Sequence, residues 1–370
     1  MLTWLCRFGI FLAHHVTRPL LPLYLITFGA SSTVIGAVMA VFTVTAIVMR
    51  VPVGLYIDRL GRKPFLLYGI PLFCAGNLGY GWAPSILLIL PCRVLHGLGW
   101  SGCTTAVSTL AADIVPAARR GDLLGYTGLA STLASALGPV LGFALFHRFG
   151  FPGAFLGAGA LLIISFISAI PLAEPQLKKS PAAHSARFLD TIMVRDALNP
   201  AIGVAFLSFG HGGILTFLAI QALKIGLANP GIWFGVYAVA ILVSRPIAGP
   251  LSDKISRQAA IVPGLILNIV GILMLAFAAT PTALIAAAIV TGLGTGAAQP
   301  ALMTLAVDQS STERRGQSLA QFQFFYDLGI GIGSLTLGAL LDLVHQSFQI
   351  MYLATAGVAL IGLWINWRGK

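Results

Sequence analysis

The chain has 370 residues, of which 57% are hydrophobic and only 9% are charged, and its mean hydropathy is +0.91. This composition excludes a soluble globular domain and indicates a polytopic membrane protein. The formal net charge of +11 does not require a nucleic-acid partner, because the basic residues are concentrated on one side of the predicted membrane fold.

Apolar runs long enough to cross a bilayer, about 20 residues each, recur along the whole chain. They predict an all-α fold of twelve transmembrane helices, here called spans 1 to 12, over residues 3–27, 34–56, 65–83, 86–108, 122–146, 152–173, 200–223, 231–252, 258–279, 282–306, 316–341 and 348–367. The first run is long and no small-residue cleavage site follows it, so we expect it to be a span rather than a signal peptide. The longest polar stretch, residues 174–199, predicts a cytoplasmic linker between a first six-helix half, residues 1–173, and a second, residues 200–370.

Lys and Arg are distributed unequally between the two sides of the predicted membrane. Sixteen lie on the side of the termini and the linker, two lie on the other side, and four lie within spans. The positive-inside rule makes the rich side cytoplasmic, with both termini there. The short loops favour a plasma membrane, in particular a bacterial inner membrane. The cysteines lack metal-ligand spacing, so we expect no metal and no disulfide. We also expect no cofactor, and we expect the protein to be a monomer in the lipid bilayer.

A short polar stretch between spans 2 and 3 places an acid within a basic cluster between two glycines. Its residues are Gly54, Asp58, Arg59, Gly61 and Arg62, and 195 positions later the chain repeats them in part as Gly249, Asp253, Lys254 and Arg257. Other landmarks keep the same offset: Gly97 and Gly99 match Gly292 and Gly294, and Asp113 matches Asp308. The offset predicts two homologous halves, which is typical of transporters that bind substrate between their repeats.

A few polar residues lie deep within the predicted spans, where a charge costs roughly 2.5–3.5 kcal/mol. Among the eleven carboxylates, only Asp327 is deep, about 16 Å into span 11. We predict that it is the proton-coupling site, with an interhelical ion pair as the alternative. The predicted substrate cavity contains His14, His15, Arg18, Arg93, His96, His211, Gln299 and Gln323. The histidines could equally be packing residues bonded to backbone carbonyls, and the glutamines could be hydrogen-bonding contacts between helices.

These motifs resemble those of the major facilitator superfamily. The loop between spans 2 and 3 is similar to that family's signature loop, and Arg93, Gly97 and Gly99 are similar to its Arg-x-x-x-Gly-x-Gly motif in span 4. In span 5 the antiporter motif of drug exporters is matched by Gly125, Gly138, Pro139 and Gly142, with departures at Ala134 and Phe143. Span 1 carries Pro19 and Pro22, as in twelve-helix drug:proton antiporters. The resemblance implies the major facilitator fold and secondary active transport.

The loop motifs predict a cytoplasmic gate. The resemblance places Asp58 at the start of the helix that begins near Gly316, where the macrodipole favours an anion. Arg59 and Arg62 are expected to pair with acids near the same surface, namely Asp113, Asp308 or Glu313. Each exposed pair contributes only about 0–1 kcal/mol, which suits a gate that opens when the halves rock.

The leading hypothesis is a proton-coupled exporter of a small organic molecule or drug that works by alternating access. Histidine titration is a second possible coupling route. The alternative is a proton-coupled transporter of organic anions, for uptake or export, that uses the Arg- and His-lined cavity. A receptor would need a signalling domain. The sequence shows no P-loop, no paired acids with metal-ligand spacing and no nucleophile motif, so we do not expect an enzyme.

Overall fold

The computed structural model describes residues 1–114, 120–174, 193–311 and 314–368, and the secondary structure of these residues consists of helices, without any strand. The helices are α1 Leu2–Thr17, α2 Leu20–Thr27, α3 Ser32–Leu60, α4 Arg62–Trp82, α5 Ile86–Ile114, α6 Arg120–Ala169, α7 Leu198–Lys224, α8 Gly231–Lys254, α9 Arg257–Ala276, α10 Pro281–Asp308, α11 Arg315–Leu343 and α12 Phe348–Arg368, and a 3₁₀ turn Arg195–Ala197 precedes α7. Most of the predicted linker and Glu313 lie outside the described residues, as do the side chains of Asp58 and Asp113 and the surroundings of Gly125.

Span 1 differs from the observed helices in its interior, and the boundary predicted between spans 5 and 6 coincides with an interruption within one helix. Span 1 is divided into α1 and α2 at Arg18 and Pro19, since proline lacks the N–H that a continuous helix needs and crowds the preceding turn. Spans 5 and 6 both fall in α6, which is interrupted at Gly150 by a non-helical backbone with φ 68° and ψ −172°. Glycine tolerates this positive φ because it has no Cβ.

Nine of the described helices are long and apolar enough to cross a membrane. Together with α4, the α1–α2 pair and the second part of α6, they account for the twelve predicted spans. The prediction of an all-α, multi-span fold is therefore confirmed.

The chain divides into two compact units. The first contains residues 1–30 and 41–182, and the second contains residues 31–40 and 183–370. The helix α3 is thus shared, because its first nine residues, 32–40, group with the second unit and the rest groups with the first.

The same glycine contact occurs once within each of the two units, at the offset seen in the sequence. A Cβ added at Gly69 would lie 2.9 Å from the backbone N of Cys103, and one added at Gly264 would lie 2.7 Å from the backbone N of Ala298. Both pairs are separated by 195 positions. The contacts join α4 to α5 in the first unit and α9 to α10 in the second, so the same helix crossings are built twice.

Candidate functional site

A buried polar cluster lies between α1, α4 and α5 in the first unit. His14, Arg93 and His96 are only 4%, 2% and 1% exposed. The ring atoms Nδ1 of His14 and Nε2 of His96 are 3.2 Å apart, and the Tyr80 hydroxyl lies 3.0 Å from Nδ1 of His96. The histidines therefore bond to side chains of neighbouring helices, and one hydrogen-bond chain links His14, His96 and Tyr80.

Aromatic rings surround this cluster. His14 stacks on Trp100 with ring centroids 4.2 Å apart, and His96 stacks on Phe73 at 4.3 Å. The guanidinium carbon of Arg93 lies 4.8 Å from the centroid of the Phe42 ring, a cation–π contact. We expect such packing to hold Arg93 and the two imidazoles in fixed positions.

His15 and Arg18, the other predicted cavity residues near α1, lie nearer the surface of the unit. His15 and Arg18 are half-buried, and Arg18 follows the last residue of α1. His15 packs directly against Gly138 of α6, and a Cβ at Gly142 would lie 2.6 Å from the carbonyl oxygen of Val16. The glycines of the span 5 motif thus allow α6 to approach the polar segment of α1, beside Pro139 within the same helix.

The second unit contains a different hydrogen-bond network at its centre. His211 Nε2 lies 2.5 Å from the hydroxyl of Tyr237, which donates to Thr295 Oγ1 at 3.2 Å. The amide of Asn268 also donates to Thr295 Oγ1, at 3.0 Å. The cavity predicted from the sequence included His211 but not Tyr237 or Thr295. By the offset of 195 they correspond to Phe42 and Trp100, which the sequence analysis did not single out either.

Asp327 lies near the middle of α11, 12 residues or about 18 Å from Arg315. Its side chain is half-buried, and the Gln323 amide donates to its Oδ1 at 3.0 Å. The two residues are one helical turn apart and share a face. The ring of Tyr326, the residue directly before Asp327, lies 6.3 Å from the His211 ring. Asp327 is therefore adjacent in sequence to a residue that contacts the His211 network.

Gln299 lies in a different place from the other predicted cavity residues of this unit. It lines a cavity of about 500 Å³ between α8 and α10, together with Arg245, Gly249, Asp253 and Thr304. Gly249 and Asp253 belong to the predicted gate. The structure therefore groups Gln299 with gate residues at the ends of α8 and α10.

The gate residues of the second unit form a small ion cluster. Arg257 donates from Nε to Asp308 Oδ2 at 2.7 Å and also bonds Asp253. Asp308 is one of the three acids that the sequence offers as partners of Arg59 and Arg62, and within its own unit it pairs with Arg257. Lys254 is exposed beside this cluster.

The signature loop of the first unit is held by an acid that the sequence did not single out. Glu174 accepts the backbone N–H groups of Arg62 and Lys63, each at 2.7 Å. The carboxylate thus caps the first turn of α4, whose orphan N–H groups need acceptors. Gly61 has φ 98° and packs against the same carboxylate, whereas Gly54 and Arg59 are exposed.

A sequence model of the Major Facilitator Superfamily matches residues 3–228 and 200–369, which together span nearly the whole chain. The chain belongs to the Major Facilitator Superfamily. It is therefore an integral, multi-pass membrane transporter and not an enzyme, and superfamily members carry small molecules across membranes.

Relatives of this transporter cover almost its full length. It is 24% identical over 350 residues to the uncharacterised MFS-type transporter MJ1560 of Methanocaldococcus jannaschii, covering 92% of this chain and 90% of that protein. It is 28% identical over 393 residues to the multidrug resistance protein MdtG of Salmonella schwarzengrund, covering 99% and 94%. The solved nucleoside transporter NupG superposes with a TM-score of 0.85 at 12% identity, covering 100% and 99%, which shows a shared fold.

Proposed function

We propose that this transporter exports a small organic molecule of the drug class in exchange for protons, by alternating access, with Asp327 as the proton site. One observation carries the proposal. Of the eleven carboxylates in the sequence, Asp327 is the one that falls in the middle third of a described helix. An ionisable residue at that depth in a membrane protein marks a functional site by default.

The surroundings of Asp327 suit a group that exchanges a proton for a ligand. When ionised, the carboxylate accepts the amide hydrogen of Gln323 at 3.0 Å, and its negative charge attracts a cationic substrate. When protonated, it loses its charge and with it the attraction for a cation. A proton that enters from outside would thus displace the substrate, and release of that proton to the cytoplasm would restore the site. The name of the relative MdtG, a multidrug resistance protein, supports the drug class.

Flux in proteoliposomes tests the proposal, with ethidium as the probe cation. An imposed pH gradient is expected to drive ethidium transport by the unmodified protein and not by Asp327→Asn. Asp196→Asn is the matched control, because Asp196 is exposed in the 3₁₀ turn before α7 and belongs neither to the predicted cavity nor to the predicted gate. Gradient-driven flux that survives in Asp327→Asn at the unmodified rate would refute the role of Asp327.

A second candidate function is transport of organic anions, for uptake or export. It is favoured by the first unit, where Arg93 and three histidines lie on α1 and α5 and Arg18 directly follows α1, while residues 1–57 and 59–112 contain no Asp or Glu. A positive site of this kind would attract a carboxylate or sulfonate.

Thermal shifts of the purified protein distinguish the two functions, with tetraphenylphosphonium and benzenesulfonate as probes that keep their charge at pH 6 and pH 8. A ligand at 100 times its Kd stabilises the folded state by about 2.7 kcal/mol. Stabilisation by the cation, greater at pH 8, would support the exporter, because protons compete for Asp327. Stabilisation by the anion, greater at pH 6, would support the anion transporter and contradict the proposed substrate class.

A further inference from the structure

The start of α3 is held by a carboxylate from the far end of the chain. Asp342 lies one residue before the end of α11. Its Oδ1 accepts the backbone N–H of Ser32 at 3.0 Å, and its Oδ2 accepts both the N–H and the hydroxyl of Thr33, at 2.8 and 2.7 Å. Gln346 donates to Oδ1 at 2.9 Å and accepts the hydroxyl of Ser32 at 3.0 Å. The carboxylate thus has four hydrogen-bond donors.

This arrangement adds to an ordinary helix cap, in which Ser31, directly before α3, accepts the backbone N–H of Val34 at 3.4 Å. The first N–H groups of a helix lack partners within the helix, and a side chain immediately before the helix normally accepts one of them. The N–H groups of Ser32 and Thr33 are accepted by a carboxyl group about 310 positions away in sequence, and an anion at this place is favoured by the positive end of the α3 macrodipole. Hydrogen bonds to a charged acceptor are stronger than those to a neutral one.

The two backbones touch where this cap is made. Gly338 of α11 packs directly against the carbonyl oxygen of Ser32, and Gly36 of α3 packs against the carbonyl of Ser334. These contacts are four residues apart on each helix, so they lie on one face of each. The contact between α3 and α11 is therefore a close crossing that ends in a charged cap.

The cap lies at the start of a helix, α3, that is divided between the two units. Residues 32–40 group with the second unit and residues 41–60 with the first, yet the helix is continuous. In a transporter whose units move against each other, α3 cannot keep all of its contacts with both. Asp342 holds the shorter segment, residues 32–40. This segment is the part of α3 that we expect to detach from α11.

We infer that Asp342 is a gating residue of the transport cycle. It caps α3 in the state described here and releases it when the substrate site opens on the side where α11 ends, which the charge distribution predicts to be extracellular. The inference rests on transport by the superfamily and not on Asp327 or on proton coupling.

The opposite end of the same helix pair carries a related acid. Asp58 lies two residues before the end of α3, as Asp342 lies one residue before the end of α11. The sequence analysis expects Asp58 to accept from the start of α11 on the cytoplasmic side. The two helices are then reciprocal, because each ends in an acid that caps the start of the other. The two caps form in alternate states of the transport cycle.

Cysteine labelling tests the inference in a background with Ser in place of the four native cysteines. Ala40→Cys places a thiol at the last residue of the segment that groups with the second unit, where Ala40 is 9% exposed. An impermeant maleimide is added to right-side-out vesicles. Asp342→Asn is expected to raise the labelling rate about tenfold, since the lost bonds are to a charged group. Thr33→Val, which keeps the backbone N–H, should raise it less, and Asp58→Asn should lower it.

A second thiol separates gating from loss of stability. Ala288→Cys lies in α10 and is 0% exposed, so its labelling reports general unfolding of the second unit. The gating role predicts faster labelling at Ala40→Cys with no change at Ala288→Cys. Unchanged labelling at Ala40→Cys in Asp342→Asn, an equal rise at both thiols, or a rise in Asp58→Asn would each overturn the inference. Failure of ethidium flux would leave these labelling results unaffected and would count against the proposed function alone.

Discussion

The two units share one scaffold but differ in the side chains at its centre. At equivalent positions, 195 residues apart, the first unit has Phe42, Phe73, His96 and Trp100, and the second has Tyr237, Asn268, Thr291 and Thr295. The first set stacks around Arg93 and two histidines. The second set supplies hydroxyl and amide groups that hydrogen-bond around His211. The repeated glycines preserve the helix crossings, while the side chains between them have diverged.

Different residues in each unit therefore determine the packing of the helices and the chemistry of the centre. A glycine at a helix crossing cannot change without moving backbone, so it is retained in both copies. A midplane side chain needs only a partner of suitable chemistry. In the first unit the partners are aromatic rings and a buried cation, and in the second they are hydroxyl groups near the helix that carries Asp327.

Substitution of the shared glycines should have the largest effect and should break both units alike. In Gly69→Leu and in Gly264→Leu, the added side chain would meet backbone at 2.9 and 2.7 Å. We expect a loss of more than about 3 kcal/mol in the free energy of unfolding, because overpacking against backbone cannot relax. Size-exclusion profiles and melting temperatures in detergent measure this effect.

Open glycines of the same units are the controls. A Cβ at Gly128 in α6 or at Gly357 in α12 meets nothing within 4 Å, so replacement by Leu should leave the profile intact. If Gly69→Leu and Gly264→Leu differed sharply from each other, the two scaffolds would not be equivalent.

Changes at one equivalent midplane pair should have a smaller and unequal effect. His96→Phe preserves stacking on Phe73 but removes the imidazole bonds to the His14 ring and to the Tyr80 hydroxyl, which keeps its 3.5 Å bond to the Cys92 carbonyl, at a cost of about 2–4 kcal/mol. Thr291→Val removes one bond, from its hydroxyl to the Ala287 carbonyl at 2.7 Å, at a cost of about 1 kcal/mol. Melting temperatures compare the two variants. Equal losses would argue that the first unit's cluster is no more cooperative than a single hydroxyl bond.

The gate pair of the second unit should contribute least to stability. Asp308→Asn breaks a contact whose partners are 46% and 25% exposed in their side chains, so we expect a change of about 0–1 kcal/mol that disappears at high salt. Melting at low and high ionic strength checks this. A large loss that salt does not reduce would show that Asp308 is a structural residue rather than part of a gate.

The sequence predicted what depends on composition, periodicity and repeats. The apolar runs gave the helices, the offset of 195 gave the paired glycines, and the scarcity of deep acids gave Asp327. It did not predict Glu174 or Asp342, because their partners are backbone N–H groups more than 100 positions away, and a backbone group leaves no residue-type signal. The interruption at Gly150 falls in the connection predicted between spans 5 and 6, whereas the division of span 1 at Arg18 and Pro19 was missed, since an apolar run reads the same with or without a break.

Proton release on substrate binding tests the central claim most directly. The purified protein is mixed with tetraphenylphosphonium in weakly buffered solution, and a pH indicator records the protons set free. If Asp327 exchanges its proton for the substrate, the unmodified protein releases protons on binding, and Asp327→Asn releases none while its melting temperature is retained. Undiminished proton release from Asp327→Asn would contradict the account and assign the coupling to another group.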